Sequence, residues 1–168
     1  EYMAYAGILK NVFAYIDTEH YAYGELYNEL NIHTGGVAAN INTYTNAKKM
    51  DEYKLCFEIK CKAFYDELPK AFALITEVLT HSKLDDKKRL KEIISELKSR
   101  MQGNMVASGH SVAAIRAMSY FSETAAVAEL LSGMPFYRLL ERLEADFDAN
   151  SDELVEKLAI LAKNPDLC

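Results

Sequence analysis

Between Gly35 and Tyr65 the chain alternates apolar and polar residues at period two. On either side, apolar residues return every three or four positions. Val37, Ala39 and Ile41 fall on one face of the first alternating run, with Asn40 and Asn42 opposite. Leu55, Phe57, Ile59, Cys61 and Ala63 share a face in the second, with Glu58, Lys60 and Lys62 on the other. A strand with one buried face requires this pattern, because successive side chains point to opposite sides of a sheet. Two strands near 36–44 and 53–64 are therefore expected, paired antiparallel. The polar stretch from Thr45 to Glu52 reads as the loop between them, too long for a two-residue turn.

The flanking segments predict helices. Tyr5, Ile8, Leu9, Val12, Phe13 and Ile16 form one stripe, ending near Asp17. Asp17 or Thr18 can cap a second helix, which carries Tyr23, Leu26, Tyr27 and Leu30. Gly35-Gly36 follows, supplying positive φ where that helix ends and the first strand starts. Pro69 suits the first turn of a third helix, with Leu68, Phe72, Ile75, Val78 and Leu79 as its expected buried stripe. Asp85 or Asp86 opens the next, and Gly103 and Gly109 predict a kink or break between them. Apolar spacing resumes from Val112 to Phe121, with Arg116 as its one charge, placed to snorkel or to pair with a carboxylate. Ser122 caps a short helix that stops at Ser132-Gly133, and Pro135 starts another, with Phe136, Leu139, Leu140, Leu143 and Phe147 facing the core. Asn150 and Glu153 fit a capping box for a last helix, which ends at Asn164-Pro165. The fold class is α+β: helix-rich, with a small antiparallel sheet packed under several helices. Residues 1–34 form an N-terminal helical hairpin, 35–65 the strand pair and 66–168 the remaining helices of one domain.

Composition narrows the function more by exclusion than by indication. The 168 residues suffice for one domain with a real core. A net charge of -6 leaves no basic field for phosphates, so nucleic-acid binding is not expected. No apolar run reaches membrane-spanning length, and the N-terminal segment lacks the regions of a signal peptide. Three cysteines, Cys56, Cys61 and Cys168, do not make a disulfide framework. Cys56 and Cys61 point to opposite faces of one predicted strand and cannot pair there. Reduced thiols suit the cytoplasm.

Candidate chemistry is sparse. His20, His33, His81 and His110 are scattered, and none stands four residues from another, so H-x-x-E-H and H-E-x-x-H are both absent. Asp146, Asp148, Asn150 and Asp152 imitate a calcium loop, but Ser151 replaces its turn glycine and Lys157 its closing glutamate. A solvated acidic linker with a helix cap accounts for them. Ser108-Gly109-His110-Ser111 sets hydroxyls beside a histidine, yet adjacent helical residues do not face each other. Arg138, Glu141, Arg142 and Glu144 read as a solvated helix face. Eight of the eleven tyrosines precede residue 54, which is aromatic packing or, on a further reading, a ligand surface lined by Tyr21, Tyr23 or Tyr27.

Taken in order, several short motifs resemble one family. They are Asp17-Thr18, Tyr23, Glu25-Leu26, Asn28-Glu29-Leu30 and Thr34-Gly35-Gly36-Val37, then Lys98-Ser99-Arg100, Gly109-His110, Arg116-Ala117-Met118-Ser119-Tyr120-Phe121-Ser122 and Gly133-Met134-Pro135-Phe136-Tyr137. The set resembles the presequence-protease branch of the pitrilysin-type zinc metallopeptidases, in the peptidase-associated region that follows the two N-terminal domains. The resemblance implies connector helices plus the start of the third domain, excised from a much longer protease. It implies that the zinc and the H-x-x-E-H residues lie elsewhere in the parent, as does a later Arg … Gly-Gly-Ala-Tyr motif. Arg116 and Tyr120 are not that pair. No catalytic, metal-ligating or substrate-binding residue is assigned to this chain, and no cofactor is expected in it.

The expectation is a non-catalytic part of a peptide-degrading zinc metalloendopeptidase, forming part of a peptide-enclosing chamber. Its partners would be the parent's other domains and, in the parent, peptide substrates, with neither nucleic acid nor membrane. An open sheet edge is expected, through which the isolated piece would self-associate. The bacterial cytoplasm is the expected location, with an organelle lumen the alternative. The competing reading is a stand-alone interaction module that binds a helix or a strand.

Overall fold

Helix α1 (Tyr2–Val12) carries Tyr5, Ala6, Gly7, Ile8, Leu9 and Val12 buried in an almost unbroken run. A helix apolar on all sides belongs inside a fold. In the computed structural model, which describes residues 2–13 and 15–163, α1 packs on five other elements. These are β1 (Val37–Asn46), α4 (Lys87–Met118), α5 (Glu123–Ser132), α6 (Met134–Ala145) and α7 (Phe147–Lys163). The remaining elements are α2 (Tyr23–His33), β2 (Lys49–Cys61), a 3-10 turn at Tyr65–Glu67 and α3 (Leu68–Thr80). The fold is α+β, with a two-stranded antiparallel sheet beside the helices.

The centre of the molecule is therefore the first helix rather than the hairpin. Among the described residues, every fully buried apolar side chain lies outside the two strands. Val37, Ile41, Leu55 and Phe57 are half-buried against the helical core, and the Phe57 ring meets Phe13 edge-on at 5.7 Å. The alternation assigns the faces correctly. Ile41 pairs with Phe57 and Ala39 with Ile59 on the apolar side, while Asn40 pairs with Glu58 on the other.

Several expectations need correction. Thr45 to Glu52 is not a loop: pairing continues through Thr45–Tyr53 to Asn46–Lys49, with a register shift after Thr45. Only Ala47 and Lys48 form the turn, since exposed hairpin ends are polar without leaving the ladder. Helix α1 ends at Val12, short of Asp17, although Phe13 and Ile16 are still buried beyond it. Helix α3 is rotated partway from the expected stripe: Val78 is buried as expected, and Leu68 and Ile75 are half-buried. Ala71, Leu74 and Val78 point inward, while Phe72 is 65% exposed and Leu79 38%. Two apolar rows of equal spacing lie on this helix, and the row with the small alanine is the one that packs. The capping box at Asn150 does not form. Asp146 accepts from the Ala149 N–H at 3.4 Å, and Asn150 lies inside α7 donating to the Asp146 carbonyl.

Other expectations hold. Gly36 has φ 119° at the strand start. Pro69 sits in the first turn of α3, and Ser122 accepts from the Ala125 N–H at the start of α5. The kink in α4 falls at Ser108, between the two glycines. Cys56 and Cys61 are unbonded. The helix stop at Asn164-Pro165 and Cys168 lie outside the described residues.

Candidate functional site

The loop between α1 and α2 is tied to the end of α3 by a short backbone ladder. Glu19 N–H donates to the His81 carbonyl at 3.0 Å, and Lys83 N–H to the Asp17 carbonyl at 2.9 Å, around a bridge between Thr18 and Ser82. Thr18 is buried, and its hydroxyl oxygen accepts from the Tyr21 N–H at 3.1 Å, which fixes the loop locally. Asp17 accepts from the first helical N–H of α2, that of Tyr23, at 2.8 Å. Two segments far apart in sequence thus become a rigid corner.

That corner carries the densest group of ligating side chains among the described residues. Glu77 and His81 stand one turn apart at the end of α3, and residues four apart on a helix share a face. His20 comes from the loop. Its Nδ1 lies 3.1 and 3.0 Å from the two Glu77 oxygens, and its backbone N–H donates to Oε1 at 3.2 Å. His81 Nδ1 is 3.3 Å from Glu77 Oε2 and 2.7 Å from the Thr80 hydroxyl. Its Nε2 is 3.9 Å from a Glu19 oxygen. The two imidazoles meet edge to face, with centroids 5.3 Å apart. Glu77 is 9% exposed. Burial alone would raise its pKa, but the hydrogen bonds from Thr18 and His20, with the His20 charge, outweigh that and hold the carboxyl below the ordinary range. Glu77 is thus kept ionised.

Reading the histidines as scattered misses this group. The signal was present in part, as glutamate and histidine at 77 and 81, but His20 is brought in by a contact spanning 57 residues. His33 is different: Glu67 faces its Nδ1 at 2.7 Å and Glu29 its Nε2 at 3.8 Å, so the two carboxylates cannot converge on one point. His110 is exposed on α4.

The remaining candidates resolve as structure. Asp148, Asn150 and Asp152 are helical in α7, so no calcium loop exists there, and Asp152 meets Lys87 at 2.6 Å. Arg116 pairs with a carboxylate, as expected of a lone arginine, donating to both oxygens of buried Glu129 at 2.9 and 3.0 Å. Arg142 and Glu144 are not a purely solvated face. Glu144 takes hydrogen bonds from Ser95 and Lys98 on α4, and Arg142 donates to Tyr5 on α1. Arg138 and Glu141 are exposed, as expected. Tyr23 and Tyr27 lie exposed at the rim, above the buried Leu26 and Leu30. On the hairpin's polar face Glu58 accepts from Asn42 at 2.9 Å and from Tyr44, with Lys60 3.5 Å away.

Comparison with known proteins matches residues 1–143 to the family described as associated with peptidase M16, subfamily C. The chain is similar to protein HypA of Clostridium perfringens, 35% identical over 84% of this chain and 15% of that protein. It is also similar to mitochondrial presequence proteases of Yarrowia lipolytica, 24% identical over 97% of this chain and 17% of the protein, and of Drosophila melanogaster, 24% over 90% and 14%. The chain thus spans about one sixth of the length of these relatives.

Proposed function

We propose, since this chain belongs to that peptidase-associated family, that it is a non-catalytic structural region of a peptide-degrading zinc metalloendopeptidase. Its helices would brace part of a wall that encloses unfolded peptides, and the zinc of the reaction would sit in another part of the protein. The proposed location is the cytoplasm, a reading that the unbonded Cys56 and Cys61 support.

The observation that supports the structural role is the hairpin. Each strand pairs only with the other among the described residues, so each has an edge that no further strand covers. Its apolar face is half-covered: Val37, Ile41, Leu55 and Phe57 touch the core without being enclosed. A two-stranded sheet of this kind is marginal by itself, and natural proteins cover such edges. Phe64 and Tyr65, each 86% exposed beside it, add uncovered apolar surface. Further segments of a longer protein would continue the sheet and cover these residues.

Hydrogen exchange tests the proposal. The outward N–H groups of β1 and β2 exchange rapidly in this chain and become protected in the longer polypeptide of the same reading frame. Equal exchange in both would overturn it.

A further inference from the structure

We propose that His20, Glu77 and His81 form a zinc-type divalent metal site. Two imidazole nitrogens and one carboxylate oxygen are a donor set that suits zinc. All three donor atoms lie within 4.8 Å of one another. Ligands about 2.0–2.2 Å from a tetrahedral zinc are separated from each other by roughly 3.3–3.6 Å. Glu77 Oε2 already stands 3.0 Å from His20 Nδ1 and 3.3 Å from His81 Nδ1. Only small side-chain shifts separate this arrangement from a coordination shell.

The surroundings divide the labour. The His20 backbone N–H holds Glu77 Oε1, which leaves Oε2 for the metal. Glu19 faces the far nitrogen of His81 at 3.9 Å, where a carboxylate orients a ligating imidazole. Thr80 would release His81 Nδ1 but remain satisfied, because its hydroxyl also donates to the Thr76 carbonyl at 2.7 Å. The His20 side chain is 63% exposed, so solvent reaches the cluster and supplies the fourth ligand. With Glu77 bound to the metal, Glu19, which faces the His81 ring, is the other carboxylate in these contacts. The site is assigned to binding, tying the α1–α2 loop to the end of α3.

The test is a zinc titration of the chain followed through histidine side-chain nitrogen resonances. The expected result is that His20 and His81 shift together and saturate at one equivalent, while His33 and His110 do not move. A chelator reverses the shifts. His20→Asn, at a side chain 63% exposed, and Glu77→Gln each weaken binding by about tenfold or more, at least the loss that follows removal of a group behind a ligand. Cobalt in place of zinc gives the visible absorption of a four-coordinate ion. If the His20 and His81 resonances stay fixed through excess zinc, or if affinity survives in His20→Asn, the cluster is an ion-paired corner and the proposal fails.

Discussion

Tyr5 donates its hydroxyl hydrogen to Glu153 at 2.8 Å, joining α1 to α7. The same oxygen accepts from Arg142 at 2.8 Å, so α1, α6 and α7 meet at one buried phenol. Burial, and then the bond to Glu153, raise the Tyr5 pKa. Tyr5→Phe keeps the ring but removes the bridge. It is expected to cost about 0.5–1.5 kcal/mol, read as a lower denaturant midpoint with an unchanged slope.

Two glycines on helices carry opposite predictions. A Cβ at Gly7 would stand 2.8 Å from the Leu131 carbonyl oxygen and 3.0 Å from the Phe136 ring. Gly7→Ala therefore pushes α1 off α5 and α6, at a cost of about 1–3 kcal/mol. At Gly103, on the outside of α4, a Cβ meets nothing within 4 Å. Gly103→Ala is expected to stabilise by about 0.5–1 kcal/mol through helix propensity. Thermal melts of the two variants should move in opposite directions.

Lys10 supplies a pH prediction. Burial, helped by repulsion from Arg100, lowers its pKa below the ordinary 10.5. The folded state then loses this proton before the unfolded state does. Between the folded value and the ordinary one the unfolded chain binds more protons, so stability rises with pH across that window. Below the window the charged amine is a penalty, which Lys10→Met removes. The variant should melt higher than the parent chain near neutrality, and the gap should close as pH approaches 10.5.

The parts legible in the sequence were those set by local periodicity. Period-two spacing puts Ile41 and Phe57 on the apolar face and Asn40 and Glu58 on the polar one, and strict alternation leaves no second choice of face. Ser122, Pro135 and the Gly103–Gly109 interval mark boundaries because capping, ring closure and missing side chains act within one turn. What escaped depends on partners distant in the chain. Helix α1 shows a stripe whether one side or all sides are covered, so its central place is not visible. The two rows on α3 are equivalent until Ala71 and Leu74 find their neighbours. The polarity of Thr45, Asn46, Lys48, Lys49 and Glu52 reports exposure, not the absence of a ladder. The cluster at Glu77 needed both a Glu–His spacing and a loop folded back from His20.

The measurement closest to the central claim is peptide cleavage. The purified chain, supplied with one equivalent of zinc, is incubated with an unstructured peptide beside an active metallopeptidase as control. The account predicts an intact peptide, because this chain contains no H-x-x-E-H to pair two imidazoles with a water-activating glutamate. Turnover that a chelator abolishes and zinc restores would contradict it.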